Sequence, residues 1–132
     1  MAEPSLTPIP GAGPRVLVVD DDAAVGLALR LALRPFQVTF AQSAAGALAR
    51  VQAGADFAAV VCDVHMPGMT GMQFEEALKS VAPALARRMV FVTGGARTAE
   101  AAAFLDKTGC ACVAKPFDRE KLKAAVTAAA AR

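Results

Sequence analysis

The chain has 132 residues, 55% apolar and 20% charged, which is enough for one domain with a sizeable core and too apolar for a disordered chain. About a quarter of it is alanine, so a mean hydropathy of +0.42 reflects small methyl groups, and no apolar run approaches the ~18 residues of a membrane span. With 14 basic against 12 acidic residues, a net charge of +2 and no Trp or Tyr, the chain lacks the field and stacking surface of a nucleic-acid binder, and the N-terminus lacks the order of a signal peptide.

Residues 1–14 hold Pro4, Pro8, Pro10 and Pro14 with Gly11 and Gly13, and read as an extended tail or inter-domain linker. Residues 15–132 read as the folded domain. Short apolar runs then alternate with segments of helical period. Val16–Val19, Val38–Phe40, Ala58–Cys62, Met89–Val92 and Cys110–Ala114 are too short for helices, and their unbroken apolarity predicts strands buried on both faces of a parallel sheet. Between them, Val25, Ala28, Leu29, Ala32 and Leu33 form one helical stripe. Phe74, Ala77, Leu78 and Val81 form another, and Leu122, Ala125, Val126 and Ala129 a third. Thr70 with Gln73 predicts a capping box, Asp118 an N-cap with Phe117 and Leu122 as staple, Asp22 an N-cap of the first helix, and Ser43 and Thr98 the starts of the second and fourth. Cys62, Cys110 and Cys112 lie in or beside apolar runs. An odd count without two further zinc ligands reads as packed thiols. The order, β-α five times over, predicts a doubly wound five-stranded parallel sheet flanked by five helices, with ligands bound beyond the carboxyl ends of the strands.

Those ends carry the chemistry. The first strand ends in Asp20-Asp21-Asp22, the third in Asp63, the fourth in Thr93-Gly94-Gly95 and the fifth in Lys115-Pro116. Two carboxylates about 4 Å apart repel by roughly 4 kcal/mol at an effective dielectric near 20, so such a cluster calls for a cation. Short oxygen-only ligands suit Mg²⁺. An aspartate can also attack phosphorus, and the resulting oxygens want an ammonium, a hydroxyl and backbone N–H groups, which Lys115, Thr93 and the amides near Gly94 can supply.

Four segments in order carry a resemblance: Val16-Leu17-Val18-Val19-Asp20-Asp21; Cys62-Asp63 with Met66-Pro67-Gly68-Met69 and Gly71; Val92-Thr93-Gly94; and Lys115-Pro116-Phe117. Residues 15–131 resemble the receiver domain of two-component response regulators. The resemblance implies a flavodoxin-like fold with strand order 2-1-3-4-5 and Asp63 as phospho-acceptor. It also implies Mg²⁺ held by Asp20, Asp21, Asp63 and the backbone carbonyl of His65, with Thr93 and Lys115 as the hydroxyl and lysine that sense the phosphate, and a cis Lys115-Pro116 peptide.

The implied donor is a histidine kinase or phosphotransfer protein. The implied output face runs from the fourth to the fifth helix, toward a second copy or a downstream protein, and the implied compartment is the cytoplasm. The expectation is of a receiver without an effector domain of its own in this sequence, with output through a partner or a parent chain. The expected activity is that of a switch with slow loss of the phosphoryl group, not of a metabolic enzyme.

Departures from the family pattern are Cys112 where most receivers carry an aromatic switch residue, Thr70 in place of a frequent Asp, and Gly94-Gly95 after Thr93. The Thr93-Gly94-Gly95-Ala96 run is similar to that of receivers appended to hybrid histidine kinases. Two alternatives remain. One is a pseudo-receiver that is never phosphorylated. The other is a haloacid-dehalogenase-like phosphatase, against which stand the short chain, Ala24, and the lack of a second acidic pair after Lys115.

Overall fold

A computed structural model describes residues 13–94 and 99–132. Five strands, β1 (Arg15–Val19), β2 (Gln37–Ala41), β3 (Ala59–Asp63), β4 (Met89–Gly94) and β5 (Ala111–Lys115), form one parallel sheet in the order β2-β1-β3-β4-β5. Six helices connect and flank them: α1 (Ala23–Ala32), α2 (Ala44–Gln52), α3 (Gly71–Val81), α4 (Pro83–Ala86), α5 (Ala99–Thr108) and α6 (Arg119–Ala130). The expected sheet and strand order are present.

The period of two along each strand divides the core. Leu17, Val19, Val60, Cys62, Met89 and Phe91 face one layer, built with Phe74 and Leu78 of α3 and Leu105 of α5. Val16, Val18, Ala59, Val61, Val90 and Val92 face the other, built with Leu29 of α1 and Leu122 and Val126 of α6. Every residue of β3 is buried, because it lies at the centre of the sheet with helices on both faces.

Caps fix where the helices begin. Asp22 accepts from the Ala24 and Val25 N–H groups at 2.9 and 3.4 Å, Ser43 from Gly46, and Asp118 from Glu120 and Lys121. The capping box is closed in both directions: Gln73 N–H donates to Thr70 Oγ1 at 3.2 Å, and Thr70 N–H to Gln73 Oε1 at 2.9 Å. The Thr98 cap, Gly95 and residues 1–12 of the expected tail lie outside the described residues.

Several expectations need correction. Among the described residues there are six helices and not five, because Pro83-Ala84-Leu85-Ala86 adds one turn, started by a proline at its first position. β5 and β2 are not buried throughout: both are edge strands, and β5 is partly open along its length. In the helical stripes Ala28 and Val81 are exposed, while Gly26 and Glu75 are buried instead. The expected cis Lys115-Pro116 peptide is present, and Arg34-Pro35 is also cis.

Candidate functional site

The register of the parallel sheet brings the acidic strand ends together. Val19 pairs with Cys62, so the residues that follow them, Asp20 and Asp63, leave adjacent strands side by side. Asp20 is 1% exposed and Asp63 7%, and each offers an oxygen within 4.8 Å of the others and of exposed Asp21. Gly94 pairs with Lys115 at the far edge, and the lysine reaches back across the strand ends. Its Nζ lies 3.1 Å from Asp20 Oδ2 and 3.4 Å from Asp63 Oδ2. The remaining oxygens are oriented by the main chain: Asp22 N–H donates to Asp20 Oδ1 at 2.9 Å and His65 N–H to Asp63 Oδ1 at 3.3 Å.

Electrostatics follow from this crowding. Burial raises the Asp63 pKa above the usual carboxylate range; the Lys115 charge pulls it down, and Asp20 pushes it back up. For Lys115, burial works against the ammonium, yet its hydrogen bond to Asp20 and the charge of Asp63 outweigh that and raise its pKa. Burial, then the neighbouring carboxylates, pushes the Cys62 thiol well up, which leaves it an inert packing group.

Thr93, at 5% exposure, is the remaining buried polar side chain of the site, and its Oγ1 has no hydrogen-bond partner among the described residues. A buried hydroxyl without a partner costs roughly 1–3 kcal/mol, so an acceptor arriving at this spot would relieve the loss. Gly94 needs no absence of a side chain, since a Cβ there would meet Lys115 at an ordinary 3.6 Å.

The structure thus brings Asp20, Asp21, Asp63 and Lys115 together, with Thr93 on the strand next to Asp63. The His65 side chain is exposed, and its main-chain N–H is what touches the cluster. Cys110 and Cys112 are partly buried and pack against the core. Asp22 caps α1, as expected.

One positioning residue escaped the sequence beyond its place in a motif. Gly71, the first residue of α3, sits so close to the end of β3 that a Cβ would lie 2.5 Å from the Asp63 carbonyl oxygen. Its N–H donates to Val64 O at 3.0 Å, which docks the helix start under the aspartate. The signal was the glycine at a capping-box helix start, where Gly is otherwise a poor choice.

Comparison with known proteins agrees with this geometry. Residues 16–127 match the model of the response regulator receiver domain. Over 114 residues the chain is 34% identical to the C4-dicarboxylate transport transcriptional regulatory protein DctD of Rhizobium meliloti (strain 1021), covering 84% of this chain and 24% of that protein. The chain therefore spans about a quarter of the length of that relative. Among solved structures, a response regulator receiver domain protein from Clostridium thermocellum superposes with a TM-score of 0.81 at 21% identity, covering 91% of this chain and 96% of the other. A CheY-like receiver domain protein from Methanospirillum hungatei JF-1 gives 0.79 at 26% identity, covering 89% and 94%. The acidic strand ends, the lysine that spans them and the match across nearly the whole described chain make this a member of the response regulator receiver domain family.

Proposed function

We propose that this receiver domain takes a phosphoryl group onto Asp63 from the phosphohistidine of a histidine kinase or phosphotransfer protein. One observation carries the reading: Asp63 stands where two further carboxylates, an ammonium and the strand bearing an unpartnered buried hydroxyl converge. Receiver domains bind Mg²⁺ at an acidic pocket, and the donor set here fits that ion, being all oxygen on short side chains with more carboxylate charge than Lys115 offsets. Asp20, Asp21 and Asp63 would hold it, helped by the backbone carbonyl of His65. When bound, it supplies positive charge against the phosphoryl oxygens.

The residues of the chain divide the remaining work. An Asp63 oxygen forms the new O–P bond while the P–N bond of the donor breaks, and the imidazole nitrogen keeps the electron pair and takes a proton. Lys115 exchanges a carboxylate oxygen for a phosphoryl oxygen, and the Thr93 hydroxyl donates to another. Asp118 after the fifth strand is committed to capping α6, so the acidic pair that a haloacid-dehalogenase-like site would need there is not on offer, and we set that alternative aside.

The product acts as a switch with slow hydrolysis, read by a second copy or a downstream protein at the α5–β5–α6 face. Among the described residues no helix is long and apolar enough to cross a membrane. We assign the chain to the cytoplasm, where its kinase partner would meet it.

The test is intact mass after incubation with acetyl phosphate, with and without EDTA. One phosphoryl group is expected, dependent on divalent metal and abolished by Asp63→Asn. Labelling that survives either change would overturn the assignment.

A further inference from the structure

A cavity of about 290 Å³ opens at the opposite end of the sheet, where β4 and β5 begin, between α3, α4 and α5. Glu75 of α3 lines it. This residue is 3% exposed, and its Oε1 has no hydrogen-bond partner among the described residues. Its Oε2 has a loose contact, 3.6 Å from the Nζ of Lys79, a half-exposed lysine that also stands 3.6 Å from Glu76. A buried carboxylate held so weakly is a costly feature unless something pairs with it. Around the same cavity stand Arg87, Lys107 and Arg132, none of which forms an ion pair among the described residues. Phe104 and Ala86 add apolar wall.

The lining therefore asks for a cation at Glu75, an anion at the basic side chains and an apolar group beside the two charges, against Phe104. We propose that the cavity binds a small zwitterion of the α-amino-acid type. Its ammonium takes the place of Lys79 on Glu75, its carboxylate meets Arg87, Lys107 and Arg132, and its side chain packs on Phe104. A simple anion would leave Glu75 with only its 3.6 Å contact to Lys79 and its Oε1 without a partner, and a simple amine would leave the basic groups without an anion.

The isotopically labelled full chain is titrated with L-leucine, with isocaproate (leucine without its ammonium), with isoamylamine (leucine without its carboxylate) and with inorganic phosphate, following backbone amide shifts. The expected result is saturable shifts at Glu75, Lys79, Phe104 and Thr108, with leucine at least tenfold tighter than isocaproate, isoamylamine or phosphate. Glu75→Gln should remove the advantage of leucine over isocaproate, and Arg87→Ala, at an exposed position, should weaken both. The proposal is overturned if leucine does not saturate in the millimolar range, or if isocaproate or phosphate binds as tightly. It is equally overturned if leucine binding is undiminished in Glu75→Gln with an otherwise native spectrum. Should that variant not fold, undiminished leucine binding by Arg87→Ala decides against it.

Discussion

Replacing Gly71 with alanine tests whether the helix start and the acidic site are one mechanical unit. The added Cβ would lie 2.5 Å from Asp63 O, 3.0 Å from Val64 Cα and 3.3 Å from Asp63 C, all main-chain atoms that cannot rotate away. Restoring ordinary contact requires α3 and the end of β3 to part by about 1 Å. Overpacking of this kind costs roughly 1–3 kcal/mol. The same displacement strains the 3.0 Å bond from Gly71 N–H to Val64 O, worth about 1 kcal/mol net. Alanine returns at most about 1 kcal/mol through its helix propensity, and less at the first position of the helix. The balance is a loss of about 2 kcal/mol, or roughly 8 °C in Tm for a domain of this size. Urea melts of Gly71→Ala should show it, and acetyl phosphate labelling should slow because the Asp63 main chain moves with the helix. Gly94→Ala is the control, since its Cβ meets only Lys115 side-chain carbons at 3.6 and 3.7 Å, and it should be near neutral in stability. If Gly71→Ala melts within about 0.5 kcal/mol of the parent, the range of an ordinary surface substitution, the close approach does not constrain the site and the reasoning fails.

Three further outcomes follow from the charges. Lys115→Met leaves Asp20 and Asp63 without their shared cation and should cost about 2 kcal/mol in metal-free protein, less than the ~3–5 kcal/mol of a fully buried pair because the lysine side chain is 24% exposed; an unchanged urea midpoint would contradict it. Burial raises the folded Asp63 pKa above its unfolded value, so the contribution of this group is most favourable below the ordinary carboxylate range and is lost as pH rises through the folded pKa. Asp63→Asn should therefore raise the metal-free Tm at neutral pH, by an amount that shrinks toward pH ~4; a gain that grows on acidification would reverse the sign. Asp21→Ala removes an exposed carboxylate from the cluster and should leave the metal-free melt unchanged or slightly raised while weakening Mg²⁺ binding by calorimetry; a clear loss of stability would make Asp21 structural.

What the sequence made legible depended on whether one residue type carried its own physics. The β-branched runs announced the central strands because a buried parallel strand tolerates little else, and Asp22, Ser43, Thr70 and Asp118 announced helix starts because their oxygens satisfy specific N–H groups. The edges were less legible. The apolar residues of β5 suggest burial on both faces, yet burial of a strand depends on having a neighbour on each side, and that information lies in the topology. Val81, a member of the expected stripe, is exposed and Glu75, outside it, is buried for a similar reason. The helical period fixes which residues share a stripe, but the added turn Pro83–Ala86 and α5 decide how far round α3 the covered surface extends. Gly26 shows the same limit: a Cβ there would come within 2.4 Å of the Phe40 ring, a contact between α1 and β2 that no local pattern encodes.

The site itself was legible as a list of residues but not as an arrangement, and register makes the difference. Along β1, β3 and β5 the side chains sharing parity with Asp20, Asp63 and Lys115 are Val16 and Val18, Ala59 and Val61, and Val113, all packed in the α1–α6 layer. Thr93 shares parity with Met89 and Phe91, which pack in the opposite layer. The three charged groups thus leave the sheet toward one side, which is why the lysine can reach both carboxylates, while the hydroxyl comes from the other. Slipping β5 by one residue against β4 would send Lys115 to the α3–α5 side and leave Asp20 and Asp63 unpaired. It would also turn Cys112 out of the layer where it packs with the Phe91 side of the core. The hydrophobic pattern that buries the two faces of the sheet is therefore the same pattern that aims the ammonium, so selection for a packed core and for a working site act on one register.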